Sequence, residues 1–252
     1  MKKILPTAMC LGLLAAGCNK EDDPVADNAP VGGNTVVSVR FHWKWGLNTF
    51  DTAQTYTTSV PENIRLSMAR FFVSQPWFED DNGSVVAEFP AKYLLVDQVE
   101  GTMVRTIGEV NGHLQTLHFY VGLDSAANHS DPTLYAADDP LHVSNDMHWT
   151  WVQGYAFMKL EGRYDFDNDG DVDLAGNDQS FSYHCAGDVL RRYVEVVVNT
   201  DALSGGALVI DLDVDLETLL GDKDINATPV SQGSNAFAAS LMNDLPAAIV
   251  GP

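Results

Sequence analysis

The residues best suited to chemistry crowd into the middle of the chain. Between Asn145 and Gly162 the sequence sets His148 beside a Trp149-Thr150-Trp151 triplet and follows it with Gly154, Tyr155 and Phe157. Period-two spacing reads this run as a continuous β-strand entered from a polar loop. Trp149, Trp151, Tyr155 and Phe157 then share one face, and His148, Thr150, Val152, Gly154 and Met158 the other. On residue types alone, aromatic side chains at that period form the inner strand of a β-sandwich. A Trp-x-Trp pair beside a histidine is also the composition of a site, and the two readings compete at Trp149.

A second run is acidic. Asp165, Asp167, Asp169, Asp171 and Asp173 recur at every second position, with Gly170 sixth and Val172 eighth, matching the first nine places of an EF-hand-type calcium loop. The twelfth place is Gly176, not the bidentate Glu of such a loop, and Asp178 follows two residues later. An acidic hairpin tip fits the same residues. Ligands that are all oxygen make calcium the natural ion. The remaining donors are dispersed: His42 on the polar face of a first strand, His129 and His142 in a long loop over 124–147, and His184 beside Cys185.

The elements that carry these residues read as strands. From Thr35 to Trp45 the apolar Val37, Val39, Phe41, Trp43 and Trp45 alternate with Ser38, Arg40, His42 and Lys44, and Trp43-Lys44-Trp45 is read as core. Alternation from Asn63 breaks phase at Ala69 to Val73, which predicts a bulge or a shift of pairing. In the strand ending at Cys185, Phe181 and Tyr183 oppose Ser180, Ser182 and His184. Leu208 to Leu216 alternates with Asp211, Asp213 and Asp215, an aspartate row read as a solvated face that discourages edge pairing. Ser234 and Asn235 open a short C-terminal helix that Pro246 stops. About ten strands with no βαβ alternation predict an all-β fold, an antiparallel β-sandwich in a single domain over 35–252.

Lys and Arg number 14 against 35 Asp and Glu, a formal net charge of −21, which excludes nucleic acid as a partner. Lys2, Lys3 and the apolar stretch from Ile4 to Ala16 predict a signal peptide over 1–17. Leu14-Ala15-Ala16-Gly17-Cys18 resembles a bacterial lipobox, so Cys18 is expected to carry lipid as the only membrane attachment. Residues 18–34 are then a flexible tether, and the location is the outer membrane, facing periplasm or cell surface. Cys185 remains without a disulfide partner. No phosphate loop, nucleophile elbow or His-Glu-x-x-His occurs, so no enzyme activity is expected.

Asp146-Met-His-Trp149-Thr-Trp151-Val-Gln-Gly154-Tyr155, Lys159-Leu-Glu-Gly162 and Phe181-Ser-Tyr183-His184 resemble the MbnP-like copper-binding proteins, partners in methanobactin operons. Arg70 to Ser74, Tyr93 to Asp97 and Gly122 to Ser125 add weaker matches. The resemblance implies a secreted or lipid-anchored sandwich that binds one copper ion for copper acquisition or homeostasis. It further implies that the first tryptophan of the motif, here Trp149, is oxidised to kynurenine by a dihaem cytochrome c peroxidase-like partner, MbnH. Imidazoles would complete the site, with His184 first, then His42 and His148. The sequence departs from the family pattern at His148 and at Cys185-Ala186-Gly187, and the aspartate loop is an insertion. The competing expectation is a calcium-stabilised cell-surface module that binds glycan or protein.

Overall fold

The computed structural model describes residues 34–60, 62–98, 104–150, 152–173, 176–203 and 205–251. The expected signal peptide, Cys18, Trp151 and all of the expected tether except Asn34 lie outside these residues.

Two β-sheets share one apolar core. The first is built on β1 (Thr35–Trp45), which pairs with β2 (Asn48–Thr49), β7 (Val104–Val110) and β13 (Gly206–Asp215); β15 (Ile249–Val250) extends β13. The second sheet runs in the order β12 (Arg192–Ala202), β8 (Gly112–Val121), β4 (Asn63–Glu79), β10 (Gly154–Tyr164), β11 (Gln179–Ala186), β14 (Val230–Gly233). Short β3 (Tyr56–Thr57), β5 (Val85–Glu88) and β6 (Tyr93–Asp97) pair with β4, and β9 (His148–Thr150) pairs with β10. Three helices are described: α1 (Ser125–Asn128), α2 (Leu216–Leu220) and α3 (Ala236–Ala248).

The alternation of β1 does what it predicts. Val37, Val39, Phe41, Trp43 and Trp45 are all buried, and Phe41 and Trp43 each meet Phe71 of β4 edge-on at 5.7 Å, tying one sheet to the other. Burial of side chains this size stabilises by roughly 1.5–3 kcal/mol each.

Most pairings are antiparallel, as expected, but each sheet contains one parallel pair: β1 with β13 and β11 with β14. The β1–β13 register sets Arg40, His42 and Lys44 opposite Asp211, Asp213 and Asp215. Arg40 Nε lies 2.9 Å from Asp211 and Lys44 Nζ 3.8 Å from Asp213. Asp215 instead caps α2, accepting from the Glu217 N–H at 3.0 Å. The aspartate row is therefore a charge-matched seam. β4 has a bulge, but at Ser67, ahead of the expected Ala69 to Val73, and Gln75 farther along has φ 52°. Helix α3 is capped by Asn235, whose side chain accepts from the Ala238 N–H at 2.9 Å. Pro246 sits inside its last turn and does not stop it. Leu241, Met242, Leu245 and Ala248 are fully buried, and that packing outweighs one missing hydrogen bond.

Candidate functional site

The stretch around Trp149 is a hairpin and not one strand: β9 and β10 pair antiparallel, with Thr150 opposite Gly154 and His148 opposite Tyr155. The cause is local. Gly154 has φ 72°, and a Cβ there would lie 2.2 Å from the main-chain oxygen of Asn128, so only glycine fits. Asn128, fully buried, accepts from the Tyr155 N–H at 2.8 Å and donates to the Gln153 carbonyl at 3.2 Å and to Asp188 at 2.7 Å. Tyr155 donates its hydroxyl to the Leu141 carbonyl at 2.6 Å. The Gly-Tyr pair thus stitches the hairpin to the long loop that precedes it.

The turn resets the parity on which the faces were assigned. Tyr155 enters the core, where Phe72 meets it edge-on at 5.7 Å. Trp149 instead stands over β11, its ring edge-on to the His184 imidazole with centroids 6.5 Å apart and planes at 83°. Across the indole lies Gly233 of β14, where an added Cβ would approach the six-membered ring to 3.7 Å. His184 Nε2 lies 2.7 Å from Glu161 Oε1 and 3.2 Å from Ser182 Oγ. With Glu161 accepting from Nε2–H, the lone pair of the neutral ring is on Nδ1.

A cross-strand row anchors this arrangement. Asp97, Arg70, Lys159, His184 and Gln232 are successive register partners across β6, β4, β10, β11 and β14. Arg70 pairs with Asp97 at 2.7 Å and donates to the Asn145 carbonyl at 3.3 Å. Lys159, buried, donates to the Asp146 carbonyl and to its carboxylate at 3.1 Å. Asp146 itself is left-handed, with φ 55°. Two cations thereby grip the two residues that lead into Met147 and β9, satisfying their own partly buried charges and holding Trp149 over His184.

The other expected copper ligands are elsewhere. His42 lies on the polar face of the first sheet, 2.6 Å from Asp211, while its neighbours Phe41 and Trp43 point into the sandwich. His148 packs edge-on to Tyr155 with centroids 5.1 Å apart. Burial holds its pKa below the usual histidine value, partly offset by Asp131. Cys185 points inward, opposite His184; it is fully buried, and desolvation pushes its thiol up to about 12. Glu161 was missed as a site residue. Its only sequence signal was its place in the Lys159-Leu-Glu161-Gly162 run.

The acidic loop assembles a different set from the expected one. Carboxylate oxygens of Asp165, Asp167 and Asp178 converge within 4.8 Å, a group that could hold a metal ion. Asp169 and Asp171 turn away to accept from the N–H groups of Asp171 at 3.0 Å and Val172 at 2.7 Å, and Asp173 accepts from Gly176. Asp165, Asp167 and Asp178 also accept backbone N–H bonds of the loop, from Gly170 at 3.0 Å, Asp169 at 3.4 Å and Asp173 at 2.8 Å, so the same turns that fold the loop bring these three together. Val172, buried, pins the loop.

A two-sheet sandwich with Trp149 set over a histidine–carboxylate pair on the outer face of its larger sheet defines the class. The sequence profile of MbnP matches residues 34–237, and the chain belongs to the MbnP family. Among solved structures it is similar to MbnP from Methylosinus trichosporium, with a TM-score of 0.55 and 20% identity over 81% of this chain and 82% of that one. That likeness is one of fold. No curated protein matches.

Proposed function

We propose that this protein is an extracytoplasmic copper-binding lipoprotein of copper acquisition or homeostasis. In this reading Cys18 carries the lipid, and a dihaem peroxidase-like partner of the MbnH type oxidises Trp149 to kynurenine. The observation that carries it is the placement of Trp149 edge-on to His184, with Glu161 on Nε2. The donors fit copper in kind: the imidazole nitrogen of His184 left free by Glu161, and an indole whose opened form has an aromatic amine and a ketone. Copper, when bound, would supply the redox-active centre. The chain's own residues do the rest. Glu161 orients the imidazole, Arg70 and Lys159 fix the loop, and Gly233 leaves room for the ring. The protein is in this reading a binder and not a catalyst.

Purification from the native host, followed by peptide mass spectrometry and metal analysis, tests this. Kynurenine at Trp149 with bound copper is expected, and unmodified Trp149 without copper overturns it. His184→Ala should abolish tight binding.

The convergence of Asp165, Asp167 and Asp178 favours a second reading, a calcium-stabilised cell-surface module that binds glycan or protein. It predicts that calcium, and not copper, raises the melting temperature.

A further inference from the structure

The outer face of the second sheet carries another group of rings, on β4, β8 and β12, which the copper reading leaves unused. Trp77 and His118 are stacked with centroids 4.8 Å apart and planes at 10°. Tyr193 stacks with both, 5.9 Å from His118 at 13° and 5.8 Å from Trp77 at 23°. The Tyr193 hydroxyl lies 2.5 Å from His118 Nδ1 and 3.0 Å from Glu195 Oε2. Glu79 serves the other two rings: it accepts from Trp77 Nε1–H at 3.1 Å, and its second oxygen lies 3.4 Å from His118 Nε2. His118 is buried, whereas Tyr193 is exposed.

Each feature bears on one question, where an electron would leave this surface. A phenol is hard to oxidise unless a base takes its proton in the same event, and here that one proton has two acceptors within reach, His118 Nδ1 at 2.5 Å and Glu195 Oε2 at 3.0 Å, the imidazole being the nearer. His118 Nε2 makes no hydrogen bond, but the Glu79 carboxylate 3.4 Å away favours a proton on it, which leaves the lone pair on Nδ1. Burial and the neighbouring Glu195 and Glu79 push the Tyr193 pKa up to about 12, so the phenol reaches the event protonated. The carboxylates of Glu79 and Glu195 favour positive charge on the stacked rings. Tyr120, 5.9 Å from both Trp77 and Tyr193, is set apart, because the Arg191 guanidinium lies 3.6 Å over its ring and opposes positive charge there.

We infer that Tyr193, His118 and Trp77 form a surface site for reversible one-electron oxidation. The oxidant is an outer-sphere acceptor such as an oxidised metal centre or an organic radical. One electron passes to it from Tyr193, directly or by refilling Trp77. The phenolic O–H bond breaks and its proton moves to Nδ1 of His118, leaving a neutral phenoxyl radical beside an imidazolium that Glu79 faces. An enediol or thiol reductant returns the electron, the imidazolium returns the proton, and no atom is gained or lost. Exposure of Tyr193 gives both reactants access.

The test is photo-oxidation of the full protein with a ruthenium tris-bipyridine sensitiser and a sacrificial acceptor, followed by transient absorbance and freeze-quench electron paramagnetic resonance. The chain has 8 tyrosines, so variants and not the spectrum alone assign the site. A neutral tyrosyl signal is expected, formed more slowly in deuterated solvent and reversed by ascorbate. Tyr193→Phe, which removes only the hydroxyl of an exposed side chain, should lose that signal and its isotope effect and leave a tryptophanyl spectrum. Trp77→Phe should retain the tyrosyl signal. An undiminished tyrosyl yield in Tyr193→Phe, or a wild-type rate indifferent to deuteration, overturns the inference.

Discussion

At His184 one carboxylate decides which ring nitrogen is available. Glu161→Gln removes the charge and keeps the shape, and copper affinity measured by chelator competition should fall by about 10–100-fold, the usual cost of losing a partner behind a ligand. His148 makes a separate prediction. Its folded pKa lies below the unfolded value, so the neutral ring is preferred in the native state. The stability it contributes is complete above the unfolded pKa and is lost as pH falls through and below it. His113, whose pKa the hydrogen bond to Asp201 raises, works in the opposite sense. The check is therefore the difference between proteins: His148→Phe should lose less melting temperature than wild type between pH 7.5 and 5.5, values on either side of roughly 6.5. Residue types made Trp149 and His184 legible in the sequence, through the motifs around them. Glu161 was not legible, because its contact with His184 depends on the register of β10 against β11. His42 was assigned correctly to a polar face, but alternation does not say on which sheet that face lies.

Among the elements, the β9–β10 hairpin is the piece on which the site depends. Gly154→Ala must place a side chain at φ 72° against the Asn128 carbonyl. The backbone strain alone costs roughly 1–3 kcal/mol, and a chemical denaturation curve should show at least that loss. The acidic loop gives the other test at this scale. If it holds calcium, Asp178→Asn should reduce the rise in melting temperature caused by calcium, while Asp171→Asn leaves it intact. Equal responses in both variants would refute the three-residue set. Period-two counting carried β1, β11 and β13 correctly, since each runs without interruption. It failed at Trp149 because a turn ending in a left-handed glycine reverses the chain without breaking the aromatic pattern.

For the whole molecule, charge and topology matter most. A formal net charge of −21 on 252 residues makes self-repulsion a general load on the folded state. Sodium chloride raised from about 10 to 300 mM shortens the Debye length from roughly 30 to 6 Å, so the melting temperature should rise. Calcium titrations need matched ionic strength for that reason. The sandwich class could be read from strand spacing, but the two parallel pairs could not, since they join segments that are not neighbours in sequence: residues 46–205 lie between β1 and β13, and residues 187–229 between β11 and β14. The seam of β1 against β13 has a kinetic consequence. Val39 sits opposite Ile210, so the first strand of the domain cannot close its own sheet until more than four-fifths of the chain exists. Folding should therefore be slow for a domain of this size, as non-local strand pairing makes it. A chain cut after Ala202 should remain open and sticky along β1, and its other sheet would lack β14.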